Sequence, residues 1–221
     1  MTQPSKPRVH WVSPLPRAQT DIAHYTRRIL PELAEATDLV LWTDAPTWDR
    51  DLHGFAPVRH LDPDRVTPGD FARAGRAGAR PGPEPEAVFV NIGNAWQFHA
   101  GFLRMVQRIP SVIVLHDMAI QELCFDAMER GLFPRARYEA QMRHWHGEAG
   151  ATLAQAVFDK KASEAVLAQR FPGFELTLAH AVAVLTHTPV ARDAVAAAVP
   201  DLPIYLQGLP YPASSQPPDP I

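Results

Sequence analysis

The residues best suited to chemistry stand at the ends of apolar runs. His116 and Asp117 close the run Ser111 to Leu115, where an imidazole that titrates near neutrality can donate to a substrate hydroxyl or phosphate. The same residues also fit a structural role, with His116 meeting backbone groups at the sheet end and Asp117 capping the next helix. Gly93 and Asn94 follow a second apolar run, with His99 near the start of the helix beyond. Gly93 allows close backbone approach of a ligand, and Asn94 can cap that helix and present its N–H groups to an anion or hydroxyl; a tight turn with an ordinary cap fits equally. Thr186 in THTP ends a third run, and the loop SPLPRAQTD, carrying Pro16, Gln19, Thr20 and Asp21, follows the first. Cys124, between Leu123 and Phe125, reads as core, and Glu122, Asp126 and Glu129 as a solvated helix face. His144 and His146 fall on different faces of a helix, whereas shared metal ligation from a helix prefers i, i+4 spacing. They read as a half-exposed helix end with Trp145 as the buried member, and no metal site is expected.

The elements that must position these groups alternate between strand and helix along the chain, the pattern of a parallel sheet with helices on both faces. Val9 to Ser13 is a first strand ended by Pro14 and Pro16. Ile22, Tyr25, Ile29, Leu30 and Leu33 recur at helical spacing, with Thr20 or Asp21 as N-cap. Pro31 falls inside that pattern and removes the bond to the Arg27 carbonyl, which predicts a kink or an early end. Leu39 to Trp42 and Pro57 to Leu61 are the next strands. Asp62 to Glu86, rich in Gly, Pro and Arg, has no sustained periodicity and reads as an exposed excursion. Val88 to Ile92 is a strand, followed by a helix with Phe98, Phe102, Leu103 and Val106 on one face. The β-branched run before His116 suits a central strand buried on both faces. Met118 to Arg130, Arg135 to Trp145 and Glu148 to Arg170 read as helices, separated by Gly131, Pro134 and Gly147. Ala181 to Leu185, Val190 to Val199 and Ile204 to Leu206 give a strand, a helix and a last strand, and the stretch after Gly208 reads as a proline-rich linker.

In such a sheet, ligands bind outside the carboxyl ends of the strands, so the loops named above are the candidate site. The first loop has no glycine, which excludes a G-x-G-x-x-G dinucleotide fingerprint, and neither a P-loop string nor a G-x-S-x-G elbow occurs. The formal charge of −3, from 21 basic and 24 acidic residues with no long run of one sign, gives nucleic acid no electrostatic handle. Cys124 is the single cysteine, which permits no internal disulfide and no thiolate cluster and predicts a cytoplasmic setting. No stretch of about 18 consecutive apolar residues is present, so no membrane span is expected. Lysine occurs only at Lys6, Lys160 and Lys161, and with 23 prolines the composition has the bias of a GC-rich, bacterial-like genome.

Read in order, Val12 to Ala34, Val90 to Leu103, Pro110 to Leu123 and His180 to Val195 resemble the N-terminal half of GT-B glycosyltransferases of the retaining family 4 (GT4) type. The resemblance spans the chain from near residue 8 to about residue 208. It implies a Rossmann-like, doubly wound domain, residues 1–208, that receives the acceptor. A linker, 209–221, would lead toward a C-terminal donor-binding domain, and the active site would be the cleft between the two halves. By this resemblance His116 is the histidine that points into the cleft near the donor sugar. Pro16, Gln19, Thr20 and Asp21 line the acceptor side, and Gly93, Asn94 and His99 the cleft wall, with Asp117 and Thr186 beside them.

The implied activity is sugar transfer from a nucleotide-sugar donor to an acceptor hydroxyl with retention, without metal or other cofactor. The partners would be that donor, through the other half, and a small-molecule or glycan acceptor. Asp21 stands where relatives often carry a small residue, and a carboxylate there disfavours an anionic acceptor at the helix N-terminus and more easily accommodates a neutral or cationic one, such as a sugar, an aglycone or an aminoglycoside-like compound. The basic residues and paired glutamates that hold the diphosphate belong to the donor half, so this polypeptide alone is expected to turn over little or nothing. Two other readings stay open: a stand-alone binding or regulatory half-domain partnering a full transferase, and an unrelated Rossmann-like hydrolase or epimerase.

Overall fold

Apolar runs with alternating partners can be buried on both faces only if helices cover both sides of a sheet, and the computed structural model has this arrangement. It describes residues 6–74 and 86–210. Seven parallel strands form one sheet: β1 (Arg8–Val12), β2 (Asp38–Thr43), β3 (Val58–His60), β4 (Glu86–Ile92), β5 (Ser111–Leu115), β6 (Ala181–Thr186) and β7 (Ile204–Leu206). Their order is β3-β2-β1-β4-β5-β6-β7, a doubly wound, Rossmann-like α/β fold. Among the described residues no helix is long and apolar enough to cross a membrane.

Period-two alternation divides the interior strands between two cores. Leu39 and Leu41 of β2 join Val9, Trp11, Tyr25 and Leu30 on one face, while Val40 and Trp42 join Ile92, Leu103, Ile113 and Leu123 on the other. Helix α1 (Asp21–Ala36) covers the first face. The second is covered by α2 (Pro68–Arg73), α3 (Trp96–Val106), α4 (Gln121–Glu129), α5 (Arg135–Phe158), α6 (Glu164–Arg170) and α7 (Pro189–Ala198). Cys124 is fully buried there, as expected.

Several sequence expectations need correction. Helix α1 runs through Pro31 to Ala36: Pro31 is exposed, where water can serve the Arg27 carbonyl, and Ile29 and Leu33 hold the next turn against the core. Asp62 to Ala74 is exposed along most of its length, as expected, but it carries a helix and buries Val66, Phe71 and Ala74. Asp70 accepts from the Thr67 backbone N–H at 2.8 Å to start α2, and Phe71, 1% exposed, packs on Trp42 and the His10 ring. The rest of that stretch, 75–85, lies outside the described residues, as do 211–221. Strand β5 is interior and buried along its whole length, as expected, although the middle strand of the seven is its neighbour β4. Helix α4 starts late because Met118 to Ile120 lie across the chain at Gly173, with Ile120 N–H donating to the Pro172 carbonyl at 2.9 Å. The predicted break at Gly147 is a kink inside α5, with φ of 63°, and the stretch beyond it divides into the end of α5 and α6.

Phe71→Ala should lower the unfolding free energy in chemical denaturation by about 3–5 kcal/mol. A loss below about 0.5 kcal/mol would mean that this segment does not pack on the sheet.

Candidate functional site

Strands β1, β2 and β3 run outward in one direction and β4 to β7 in the other, so the strand order reverses between β1 and β4. The crevice outside the carboxyl ends of these strands is where an open α/β sheet binds ligands. A cleft of about 450 Å³ lies there, lined by Thr20, Asp21 and Tyr25 of the β1–α1 side, Asn94 and His99 after β4, and His116, Asp117 and Glu122 after β5.

Its floor is organised by Asn91, a fully buried residue of β4. The Asn91 Nδ2 amide donates to the Val12 carbonyl at 3.0 Å, and because a carbonyl only accepts, Oδ1 must face the other way, toward His116 Nε2 at 2.9 Å. His116 therefore carries its proton on Nε2 and keeps Nδ1 bare. The Asn91 backbone carbonyl lies 3.2 Å from His99 Nδ1, which places that proton on Nδ1 and leaves His99 Nε2 bare. Burial pushes the His99 imidazole down to about 4. It pushes His116 down to about 3, helped by the neighbouring His187 and His99. Both rings are neutral, each keeps one bare acceptor nitrogen, and both residues line the cleft. This corrects the expectation that His116 donates to a ligand, because its one N–H is spent on Asn91.

Two further expected roles are exchanged. Asn94 does not cap α3, which starts after Ala95 without a side-chain cap; its Oδ1 instead accepts from Leu123 N–H in the first turn of α4 at 3.1 Å, and its Nδ2 donates to Glu122 at 3.0 Å. Asp117 does not cap α4 but accepts the Asn94 backbone N–H at 3.0 Å. Each loop thus holds the other. Gly93 is required by close approach of the protein itself: a Cβ there would lie 2.5 Å from Ile22 Cδ1, 3.0 Å from His99 Nε2 and 3.2 Å from Asp117 Oδ2. Thr20 caps α1, its hydroxyl accepting from Ile22 N–H at 3.4 Å.

The cleft therefore gathers Thr20, Asp21, Asn94, His99, His116 and Asp117, with Gly93 packed beneath. Pro16, Gln19 and Thr186 do not line it. The Pro16 carbonyl accepts from Asp49 N–H at 3.0 Å, and a turn from Leu15 to Ala18 with Arg17 at φ 95° aims that part of the loop toward a separate hollow with Asp44 and Phe98. Thr186 is buried at the end of β6, with its Oγ1 unpartnered among the described residues.

Sequence reasoning missed Asn91, Tyr25 and His187 as site residues. Asn91 was findable as a lone amide in the apolar strand Ala87 to Ile92. The Tyr25 ring stands edge-on to His116 at 4.8 Å and to His187 at 5.2 Å, and burial raises its hydroxyl to about 12, so it remains a donor. His187 is anchored through Nδ1 to the Gln207 carbonyl at 2.8 Å and lies 4.8 Å from the His116 ring. Glu122, expected on a solvated face, is exposed but lines the cleft. Trp145, expected as the buried member of its helix end, is only half-buried, as is His146, which faces Phe171 and Glu175.

No protein-family model matches the chain, and no curated protein and no solved structure matches it.

The lowered imidazoles predict a pH effect on stability. In the unfolded chain His99 and His116 bind protons as pH falls below 6.5, while the native rings stay neutral to about 4 and about 3. Their contribution is complete above 6.5 and is lost as pH falls, at about 1.4 kcal/mol per pH unit for each ring. Between about pH 6 and about pH 4.5, His116→Gln should lose stability less steeply than the wild type by about 1.4 kcal/mol per unit. Parallel profiles in denaturation across that range would contradict the neutral state of the half-buried His116.

Proposed function

We propose that this chain is the acceptor-receiving half of a retaining GT-B glycosyltransferase of the family 4 type, and that the cleft beside β1, β4 and β5 holds the acceptor. The observation that carries the reading is His116, a neutral imidazole at the end of β5 whose bare Nδ1 is fixed by Asn91. Two sugar or aglycone hydroxyls can donate, one to that nitrogen and one to His99 Nε2, while Tyr25 supplies a hydroxyl donor in return. With its basicity suppressed, His116 orients a hydroxyl and does not carry a proton near neutrality. Orientation of this kind lowers the barrier by fixing the attacking oxygen before the reaction.

A departing nucleoside diphosphate needs cations or helix dipoles to take up its charge. Among the described residues, none lining this cleft is a lysine or arginine, which supports placing the nucleotide-sugar site on a partner half and not here. The reading calls for no metal or other cofactor on this half; the nucleotide sugar is a substrate.

Protein-observed NMR titration with neutral glycans tests it. Binding should move the resonances of Asn94, His99, His116 and Asp117, and His116→Phe should weaken it about tenfold through loss of one hydrogen-bond acceptor. Robust turnover of sugar nucleotides by this chain alone, or glycan shifts confined to other surfaces, would refute it.

A further inference from the structure

We propose that the cleft selects an acceptor carrying an ammonium group beside its hydroxyls, of the amino-sugar or aminocyclitol class. This deepens the acceptor-cleft reading and rests on it. The lining holds three carboxylates, Asp21, Asp117 and Glu122, and no lysine or arginine among the described residues. Asp117 Oδ2 and Glu122 Oε2 are held by Asn94, which leaves the second oxygen of each, and both oxygens of Asp21, without a hydrogen-bond partner among the described residues.

The carboxylates alone would be an acidic rim. The independent observation is His99, 1% exposed, which lines the same cleft with Nε2 bare and unpartnered because Nδ1 is fixed on the Asn91 carbonyl. A nitrogen that can only accept, on a side chain almost wholly withdrawn from water, can pair with an N–H or O–H that enters the cleft. An ammonium has three N–H donors and no acceptor, which matches a wall of carboxylate oxygens and bare imidazole nitrogens.

The N-termini of α1, α3 and α4 also meet at these strand ends and oppose this, at roughly half a positive charge each. Their effect is smaller than the carboxylates' charge. Those of α1 and α4 are already served by Thr20 and Asn94 and carry Asp21 and Glu122 in their first turns. The cleft is left net negative, so a phosphate-bearing acceptor meets repulsion and a neutral one leaves the charge unmatched.

A matched set separates the cases: glucose, 6-amino-6-deoxyglucose and glucose 6-phosphate, titrated into the full chain by protein-observed NMR. The amine should bind about tenfold more tightly than glucose, and the phosphate most weakly. Asp21→Asn and Glu122→Gln should each narrow the gap between amine and glucose. Glucose matching or exceeding the amine at the cleft, the phosphate binding best, or a gap that survives both substitutions overturns the ammonium inference while the acceptor-cleft reading stands. Failure of all three sugars to move the cleft resonances overturns both.

Discussion

The Val12 carbonyl can only accept, and this fixes the polarity of everything on the cleft floor. It holds the Asn91 amide in one orientation, that orientation assigns the proton of His116 to Nε2, and the Asn91 carbonyl assigns the proton of His99 to Nδ1. One buried side chain and its own backbone thereby leave two cleft-lining histidines each with one bare acceptor nitrogen. Burial removes the alternative charged state of both rings, so the polarity holds across the physiological range.

The fold supplies the place for this arrangement. Asn91 reaches across to β1 because β4 pairs with β1 at the reversal of strand order, and His116 reaches back to it because β5 is the next strand. The interlock of Asn94 with Asp117 and with the first turn of α4 ties the two loops into one wall. Gly93 lets His99, Ile22 and Asp117 close in beneath that wall. The parts of the site support one another through short, specific contacts between neighbouring strand ends.

The sheet and the helices around it were legible because alternation and helical spacing report burial directly. His116, Asp117, Gly93, Asn94 and His99 were legible as residues because strand ends in a parallel sheet face one side. Their roles were not. Whether Asn94 caps its own helix or its neighbour's depends on which helix start lies closer in space, and which nitrogen of His116 is protonated depends on an amide in another strand. The Asp62 to Ala74 stretch misled because its order comes from Phe71 meeting Trp42 and His10 across the sheet, contacts that leave no local periodicity. Pro31 misled because its effect on a helix depends on whether the orphaned carbonyl faces water or core.

Long-range nitrogen–proton correlation NMR of the histidine rings at about pH 6 reads the central claim directly, because it distinguishes the two neutral tautomers from each other and from imidazolium. The account predicts a neutral ring protonated at Nε2 for His116, a neutral ring protonated at Nδ1 for His99, and exchange of neither assignment on mild acidification. His116 protonated at Nδ1, or either ring charged at that pH, would contradict it.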